Sequence, residues 1–306
     1  MPTSRLTPLL LAASLLTAAP ALAQDAQGRA IITVLSKHSE VAPTVAQQDV
    51  SAKVNGKDAS VTGWTPFKGA DDGLELVVLI DAGARNIGRQ MDEMKGFLQS
   101  LGPHTLAAVG YMQNGTVALA GPLSADHNQL VSELHLPVGP TTNPYFSLSQ
   151  LAQHWPSQDH NARREVLMLS GGVDPEGRRF DPEDPYVESA IRDSVRAGLV
   201  IYSIYWHSGP DGGDGSSLTT EGGQSHLNQL TDATGGYSYW NGTGNPVSFQ
   251  TFFEDLNKRF ANQYALVFSA RADRKPTNET LKLKVEGLGL QVTAPSQVFV
   301  SPGAAQ

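Results

Sequence analysis

The sequence contains no cysteine in its 306 residues. It therefore has no disulfide, no thiol nucleophile, no cysteine-ligated zinc site and no cysteine that could carry a lipid. Charged residues are also sparse, at 17%, and the 30 acidic residues outnumber the 22 lysines and arginines, which gives a net charge of −8. No basic run is present. The composition thus argues against nucleic acid and anionic membrane surfaces as partners.

Long apolar runs are equally scarce. The one at 9–19, LLLAASLLTAA, is too short for a stable membrane anchor. It follows the basic residue Arg5 and precedes Ala-Leu-Ala at 21–23, a small-x-small cleavage pattern. These features predict a signal peptide over 1–23 and a secreted or periplasmic product. No later stretch reaches about 18 apolar residues, so we expect no membrane span after signal removal.

Familiar catalytic motifs are missing as well. The sequence has no His-Glu-x-x-His, no Gly-x-Ser-x-Gly and no Gly-x-x-x-x-Gly-Lys. We therefore expect neither a catalytic metal nor a catalytic nucleophile of these kinds, and no cofactor.

The two ends of the chain have the pattern of β-strands. β-Branched and alternating segments fill residues 24–68, where Asn55-Gly56 is a strong hairpin signal, and similar segments fill 264–306. Neither end has enough strands to be stable alone. We therefore expect the two ends to pair in one β-rich accessory region beside a central unit at 69–263.

In that central unit, apolar strands alternate with segments of helical periodicity. This order predicts an α/β fold with a doubly wound, mostly parallel sheet and helices on both faces. Ligands of such sheets bind at the carboxyl ends of the strands. Asp81 ends the first central strand, 74–80, and so lies where a site is expected.

The order of the motifs resembles a von Willebrand factor A-type domain, and more closely a bacterial secreted family of such domains with flanking β segments. The segments that carry the resemblance are LELVVLIDAGAR at 74–85, GPTTNPYFSLSQLAQHW at 139–155, EVLMLSGGVD at 165–174 and LNQLTDATGGYSYW at 227–240. The resemblance implies a domain that binds a partner protein at the carboxyl edge of its sheet.

The resemblance also implies a metal site, and here the sequence departs from the family. Intact members hold a divalent cation, usually magnesium, with an aspartate, two serines, a threonine and a second aspartate. This chain keeps Asp81, but Gly83 and Arg85 stand at the serine positions and Gly171 stands at the second aspartate. Glycine has no side-chain oxygen, and arginine is a fixed cation. We therefore expect a degenerate site without a bound metal.

Three further residues belong to this candidate site. Thr141 or Thr142 stands for the threonine, and Asp174 is a substitute ligand if the metal site has been rebuilt. For Arg85 two readings stay open. Its guanidinium pairs with the Asp81 carboxylate in place of a metal, or it faces solvent while Asp81 caps the following helix.

Other segments favour simple structural roles. The acidic segment 174–185 lacks the spacing of an EF-hand and is expected to be a solvated loop rather than a calcium site. The Gly- and Ser-rich segment 209–224 is expected to be a mobile insertion. The tyrosines and tryptophans at 202–206 and 237–240 suit either a protein interface or the core.

Together these features predict an exported, non-enzymatic protein-binding module without an obligatory metal. One alternative is a metal-dependent adhesion module with a rebuilt magnesium or calcium site. The other is an exported hydrolase whose catalytic residues match no familiar motif. The identity of the protein partner is not encoded in any motif of the sequence.

Overall fold

A computed structural model describes most of the chain. The predicted signal peptide lies outside the described residues. The described residues are 25–38, 44–69, 72–84, 86–139, 143–159, 161–174, 181, 183–206, 217–271 and 276–302.

The strands and helices follow the predicted order. The strands are β1 (Asp25–Ser36), β2 (Val50–Val54), β3 (Lys57–Pro66), β4 (Leu74–Asp81), β5 (Thr105–Gln113), β6 (Thr116–Leu119), β7 (Arg163–Ser170), β8 (Leu199–Tyr205), β9 (Ser238–Tyr239), β10 (Gln263–Arg271), β11 (Thr277–Val285), β12 (Leu290–Thr293) and β13 (Gln297–Pro302). The helices are α1 (Gly88–Gln99), α2 (His127–Glu133), α3 (Pro144–Gln153), α4 (Pro185–Ala197), α5 (Ser217–Thr234) and α6 (Gln250–Phe260).

The strands from the two ends of the chain form one antiparallel, barrel-like sheet. Its order is β10-β3-β2-β11-β13-β1, and pairing of β1 with β10 closes the circle. β12 adds to β1 beside β13, so these two strands together follow one edge of β1. Inward-facing residues from both ends fill the interior, among them Ile32, Trp64 and Phe268. Pairing between the two terminal segments, expected because neither is stable alone, is therefore present.

The central unit is a six-stranded mixed sheet of order β6-β5-β4-β7-β8-β9. All neighbours pair in parallel except the hairpin of β5 and β6. Every residue of β4, β7 and β8 is buried, as expected of strands covered on both faces.

Side chains of β4 show how the two faces are covered. Leu76, Val78 and Ile80 pack with residues of α1, α2 and α6. Val77 and Leu79 pack with α3, α4 and α5 on the opposite face. The period of two along the strand thus supplies both layers of the core.

Buried polar groups join the central sheet to the barrel. Arg163 at the start of β7 donates to the carbonyl of Phe260 at 2.7 Å and to Oε1 of Gln263 at 2.8 Å. The Gln263 amide in turn donates to the hydroxyl of Tyr202 at 3.0 Å. Glu165, which is fully buried, lies on the same strand two residues after Arg163. This joint ties β7 and β8 to the first residue of β10.

The prediction of a mobile loop over 209–224 is wrong for its second half. The Gly- and Ser-rich segment 209–224 was expected to be mobile, yet α5 begins at Ser217 and contains its second half. Residues 207–216 lie outside the described residues. The physical reason is tertiary contact, since Gly223 in α5 packs directly on the turn after β7, where a larger residue has no room.

Candidate functional site

The candidate site lies at the carboxyl edge of the central sheet. β4 ends there at Asp81, and β7 ends at Ser170 on the neighbouring parallel strand. Because adjacent parallel strands end at the same edge, the two side chains meet.

Asp81 has both carboxyl oxygens engaged by the chain. Oδ1 accepts from the backbone N–H of Gly83 at 2.8 Å, and Oδ2 accepts from the hydroxyl of Ser170 at 3.0 Å. The side chain is almost wholly buried. Burial raises the pKa of the Asp81 carboxyl, and the two hydrogen bonds oppose that rise. The site is thus a buried, hydrogen-bonded acid.

The structure shows which backbone groups the Asp81 carboxylate caps. Its carboxylate caps the turn at Gly83, whereas the N-cap of α1 is Ile87, which makes no side-chain hydrogen bond. The alternative in which Asp81 caps the following helix is therefore wrong on this point, because the chain makes a tight turn before the helix starts. Arg85, the other half of that alternative, lies outside the described residues, as do Thr141 and Thr142.

Ser170 belongs to the candidate site but is not among the site residues predicted from the sequence. Its hydroxyl donates to Asp81 and accepts from the backbone N–H of Gly172 at 3.1 Å. It therefore holds the end of β4 and the turn after β7 together. The signal was present in the sequence, since Ser170 is the last residue of an apolar strand predicted to lie in the same sheet.

Gly171 and Gly172 form a turn that two helices hold in place. Tyr145 of α3 donates to the carbonyl of Gly172 at 2.7 Å. On the other side, a Cβ atom on Gly223 of α5 would lie 2.1 Å from the carbonyl oxygen of Gly171, and one on Gly172 would lie 2.4 Å from the carbonyl of Gly223. The contact between turn and helix is thus between backbones, which only glycine permits.

An acidic side chain at position 171 would be crowded. A Cβ atom there would lie 3.2 Å from the carbonyl oxygen of Trp206. Asp174, the proposed substitute ligand, is half-buried three residues further along the same loop. Among the described residues, no group of three or more His, Asp or Glu side chains lies close enough to hold a metal ion.

Exposed apolar side chains lie around this edge. Phe146 and Tyr186 stand in the first turns of α3 and α4, and their rings meet edge to face with centroids 6.4 Å apart. Asn143 and Asp184 cap these helices by accepting from the backbone N–H groups of Phe146 and Tyr186. The caps fix the two rings at the helix starts, with about half of each residue's surface exposed.

Two more exposed apolar residues lie at the same edge of the sheet. Val138 lies beside the end of β5, where its carbonyl accepts from the side chain of Gln113 at 3.4 Å. Val247 lies beside the start of α1, where its carbonyl accepts from the side chain of Gln90 at 3.1 Å. We call Val138, Phe146, Tyr186 and Val247 the apolar rim.

The strand aromatics belong mostly to the core. Tyr202, Tyr205, Trp206 and Tyr239 are buried, while Tyr237 is exposed. The first three lie on or next to β8, which is covered on both faces, so the interface interpretation does not hold for them.

Most of the acidic segment 174–185 lies outside the described part of the chain. His226 contacts the carbonyl of Asp181 at 2.9 Å.

No protein-family model and no curated protein matches this sequence. Solved structures do match, at low identity. One is a von Willebrand factor type A protein from Catenulispora acidiphila, 11% identical, covering 90% of this chain and 74% of that one, with a TM-score of 0.40. Two others are BatB from Bacteroides thetaiotaomicron (9% identical, 62% and 98% covered, TM-score 0.45) and an aerotolerance-related membrane protein from Bacteroides fragilis (11% identical, 61% and 98% covered, TM-score 0.43). Von Willebrand factor A domains, the class that the sequence motifs resemble, are thus among the structures similar to this chain. Within the described residues, no helix is long and apolar enough to cross a membrane.

Proposed function

We propose that the chain is an exported, non-enzymatic protein-binding module that uses the carboxyl edge of its central sheet without a metal ion. The observation that carries the proposal is that the chain itself engages both carboxyl oxygens of Asp81. These oxygens accept hydrogen bonds from Gly83 and Ser170. The carboxylate on which a metal-dependent site would be built already has other partners.

The local chemistry also disfavours a divalent cation. Magnesium requires near-octahedral oxygen coordination and loses its waters reluctantly. Glycine at 83 and 171 supplies no side-chain oxygen in place of the usual ligands.

The apolar rim supports binding to a protein. Exposed aromatic residues are enriched at protein interfaces, and exposed apolar patches often mark them. Phe146 and Tyr186 form an adjacent pair that is anchored by helix caps. Such a pair can bury area against a partner with little loss of backbone entropy, because the helix starts that carry it are already ordered.

The test uses immobilised protein that begins at Gln24 and the exported proteins of the cells that make it. A partner should be retained in excess chelator. The double variant Phe146→Ala/Tyr186→Ala should weaken that binding at least about tenfold, since truncating a central interface aromatic costs 2 kcal/mol or more. The control is Leu288→Ala, which removes a fully exposed apolar side chain from the barrel end of the molecule.

Two results would overturn the proposal. One is partner binding that appears only when magnesium or calcium is added. The other is binding that the double variant retains in full while its melting temperature is unchanged.

Export is part of the same proposal and rests on the basic start, short apolar run and Ala-Leu-Ala of residues 1–23. The intact mass of protein from the exported fraction should correspond to a first residue of Gln24. Recovery of a chain that still begins at Met1 would contradict it.

A further inference from the structure

A cleft of about 920 Å³ separates the barrel from the central unit. Its walls come from β1, β10 and β13 on the barrel side and from the ends of α3 and α4 on the other. The amino ends of β7 and β8 form its floor, so it lies at the edge of the sheet opposite to Asp81. Its volume and its place between two structural units are typical of small-molecule sites.

The charge of the cleft is opposite to that of the whole chain. Arg29, Arg164 and Arg196 line it, and no aspartate or glutamate is among the described residues that do so. The chain as a whole has a net charge of −8. A cationic recess in an acidic protein concentrates anions from solution.

Arg164 is already compensated. Its Nε lies 3.6 Å from a carboxylate oxygen of Glu75, and Nη2 donates to the carbonyls of Ser157 and Asp159. The guanidinium also faces the ring of Trp155, 5.8 Å from the ring centroid. Arg164 and Trp155 therefore form a neutral, ordered floor rather than the charge of the site.

Arg29 and Arg196 each have guanidinium N–H groups that make no hydrogen bond to the described residues. Arg29 donates from Nη1 to the carbonyl of Asn161 at 2.6 Å, and its other guanidinium nitrogens make no hydrogen bond within the described part of the chain. Asp159, an acid whose charge acts on Arg29, is exposed and is not among the residues that line the cleft.

Arg196 has no ion pair and no hydrogen bond to any residue that the structure describes; its guanidinium lies over the ring of Phe299, 5.6 Å from the centroid. A guanidinium stacked in this way keeps its in-plane N–H groups free for a planar acid group. Arg196 lies in the last turn of α4, whereas Phe299 belongs to β13, so this contact spans the two walls.

Polar and apolar side chains share the rest of the cleft surface. The polar ones include Gln27, Asn161 and Gln297, and the partly exposed apolar ones include Val267 and Phe299. An occupant that covers Val267 and Phe299 carries an apolar part beside its acid group.

We propose that this cleft binds a small organic anion, with its acid group on Arg29 and Arg196 and its hydrocarbon or aromatic body against Val267 and Phe299. The acid group is a carboxylate, a phosphate ester or a sulfonate, since all three accept charge-assisted hydrogen bonds from guanidinium. The site is separate from the Asp81 edge and does not depend on the function proposed for it.

The test is calorimetric titration with three acids, 4-phenylbutyrate, decanoate and phenyl phosphate, alongside the neutral analogue 4-phenylbutanol. At least one acid should bind saturably, and at least about tenfold more tightly than the alcohol. Arg196→Gln and Arg29→Gln should each lower the affinity for that acid about tenfold and leave the affinity for the alcohol unchanged. Circular dichroism and melting temperature establish that each variant is folded.

The matched control is Arg192→Gln, one turn earlier on α4, where the arginine is exposed and pairs with Asp193 outside the cleft. It should bind the acids as the unmodified protein does. The proposal is overturned if none of the three acids binds saturably with a dissociation constant below about 10 mM, which corresponds to about 2.7 kcal/mol. It is also overturned if the alcohol binds as tightly as the acids. A third contradicting result is that Arg192→Gln lowers the affinity for the acids as much as Arg196→Gln does.

Discussion

At the scale of single residues, the Asp81 carboxylate is held by hydrogen-bond donors of the chain itself. The Asp81 carboxylate would be costly in the core if left unpaired. A backbone N–H and a serine hydroxyl satisfy it instead, and the same hydroxyl accepts from the next turn. The acid is therefore a structural link between β4 and β7 in this account.

This reading predicts different outcomes for two substitutions of Asp81. Asp81→Asn keeps an acceptor for Gly83 N–H and removes the charge that burial disfavours, so the melting temperature at pH 8 should be unchanged or higher. Asp81→Leu leaves that buried N–H without an acceptor and should destabilise the fold by about 1–3 kcal/mol.

The measurement is chemical denaturation of both variants, compared with the unmodified protein. Equal destabilisation by the two substitutions would mean that the negative charge itself is required at this position.

At the scale of elements, the contact between α5 and the turn after β7 determines the shape of the site. Glycine is usually unfavourable inside a helix, by about 1 kcal/mol relative to alanine. Gly223 is nevertheless required, because its backbone touches that of Gly171. The helix therefore gives up local propensity for a close tertiary contact.

Gly223→Ala should accordingly destabilise the protein. The added methyl group would lie 2.1 Å from a backbone oxygen, and such overpacking costs about 1–3 kcal/mol even after relaxation. Gly96→Ala in α1 is the matched control, since nothing lies within 4 Å of its added methyl. It should stabilise the protein by up to about 1 kcal/mol through helix propensity alone.

Thermal melts of the two alanine variants provide the comparison. If Gly223→Ala is as stable as Gly96→Ala, the close contact between α5 and the turn is not present in solution.

The same contact shows what the sequence could and could not predict. The strands and most helices follow from periodicity and turn residues, as with β4 and the Asn55-Gly56 hairpin. The resemblance places the candidate site at Asp81, and strand order alone would have added Ser170. The helical state of Ser217–Gly223 was not predictable, because it depends on a backbone contact with a turn about fifty residues earlier in the chain and not on local propensity.

At the scale of the whole molecule, the joint between sheet and barrel contains a buried acid. Burial raises the pKa of Glu165 from 4.5 to about 7, and the charge of Arg163 opposes the rise. Tyr202, on the neighbouring strand, has a pKa raised by burial and by the charge of Glu165. The folded state therefore binds a proton at Glu165 more tightly than the unfolded chain does.

The sign of the pH dependence follows from linkage. The stabilisation by protonated Glu165 is complete below about pH 4.5 and is lost as pH rises through about 7. The loss amounts to about 3 kcal/mol, at about 1.4 kcal/mol per pH unit. Glu165→Gln should remove this pH dependence. The free energy of unfolding of the variant, relative to that of the unmodified protein, should therefore be higher at pH 8 than at pH 5.

Denaturation free energies at the two pH values measure this difference. Glu254→Gln, an exposed substitution on α6, is the control and should keep the pH dependence of the unmodified protein. Parallel pH profiles for Glu165→Gln and the unmodified protein would show that Glu165 does not titrate between folded and unfolded states in this range.

The central claim is that the Asp81 edge works without a divalent cation, and the melting temperature in magnesium tests it most directly. A ligand present at about 100 times its dissociation constant adds about 2.7 kcal/mol to stability, a shift of several degrees for a chain of this size. We predict no binding tighter than about millimolar, and therefore the same melting temperature in excess chelator and in about 0.1 mM magnesium. A clear rise in melting temperature at micromolar magnesium, absent in Asp81→Ala, would contradict the account.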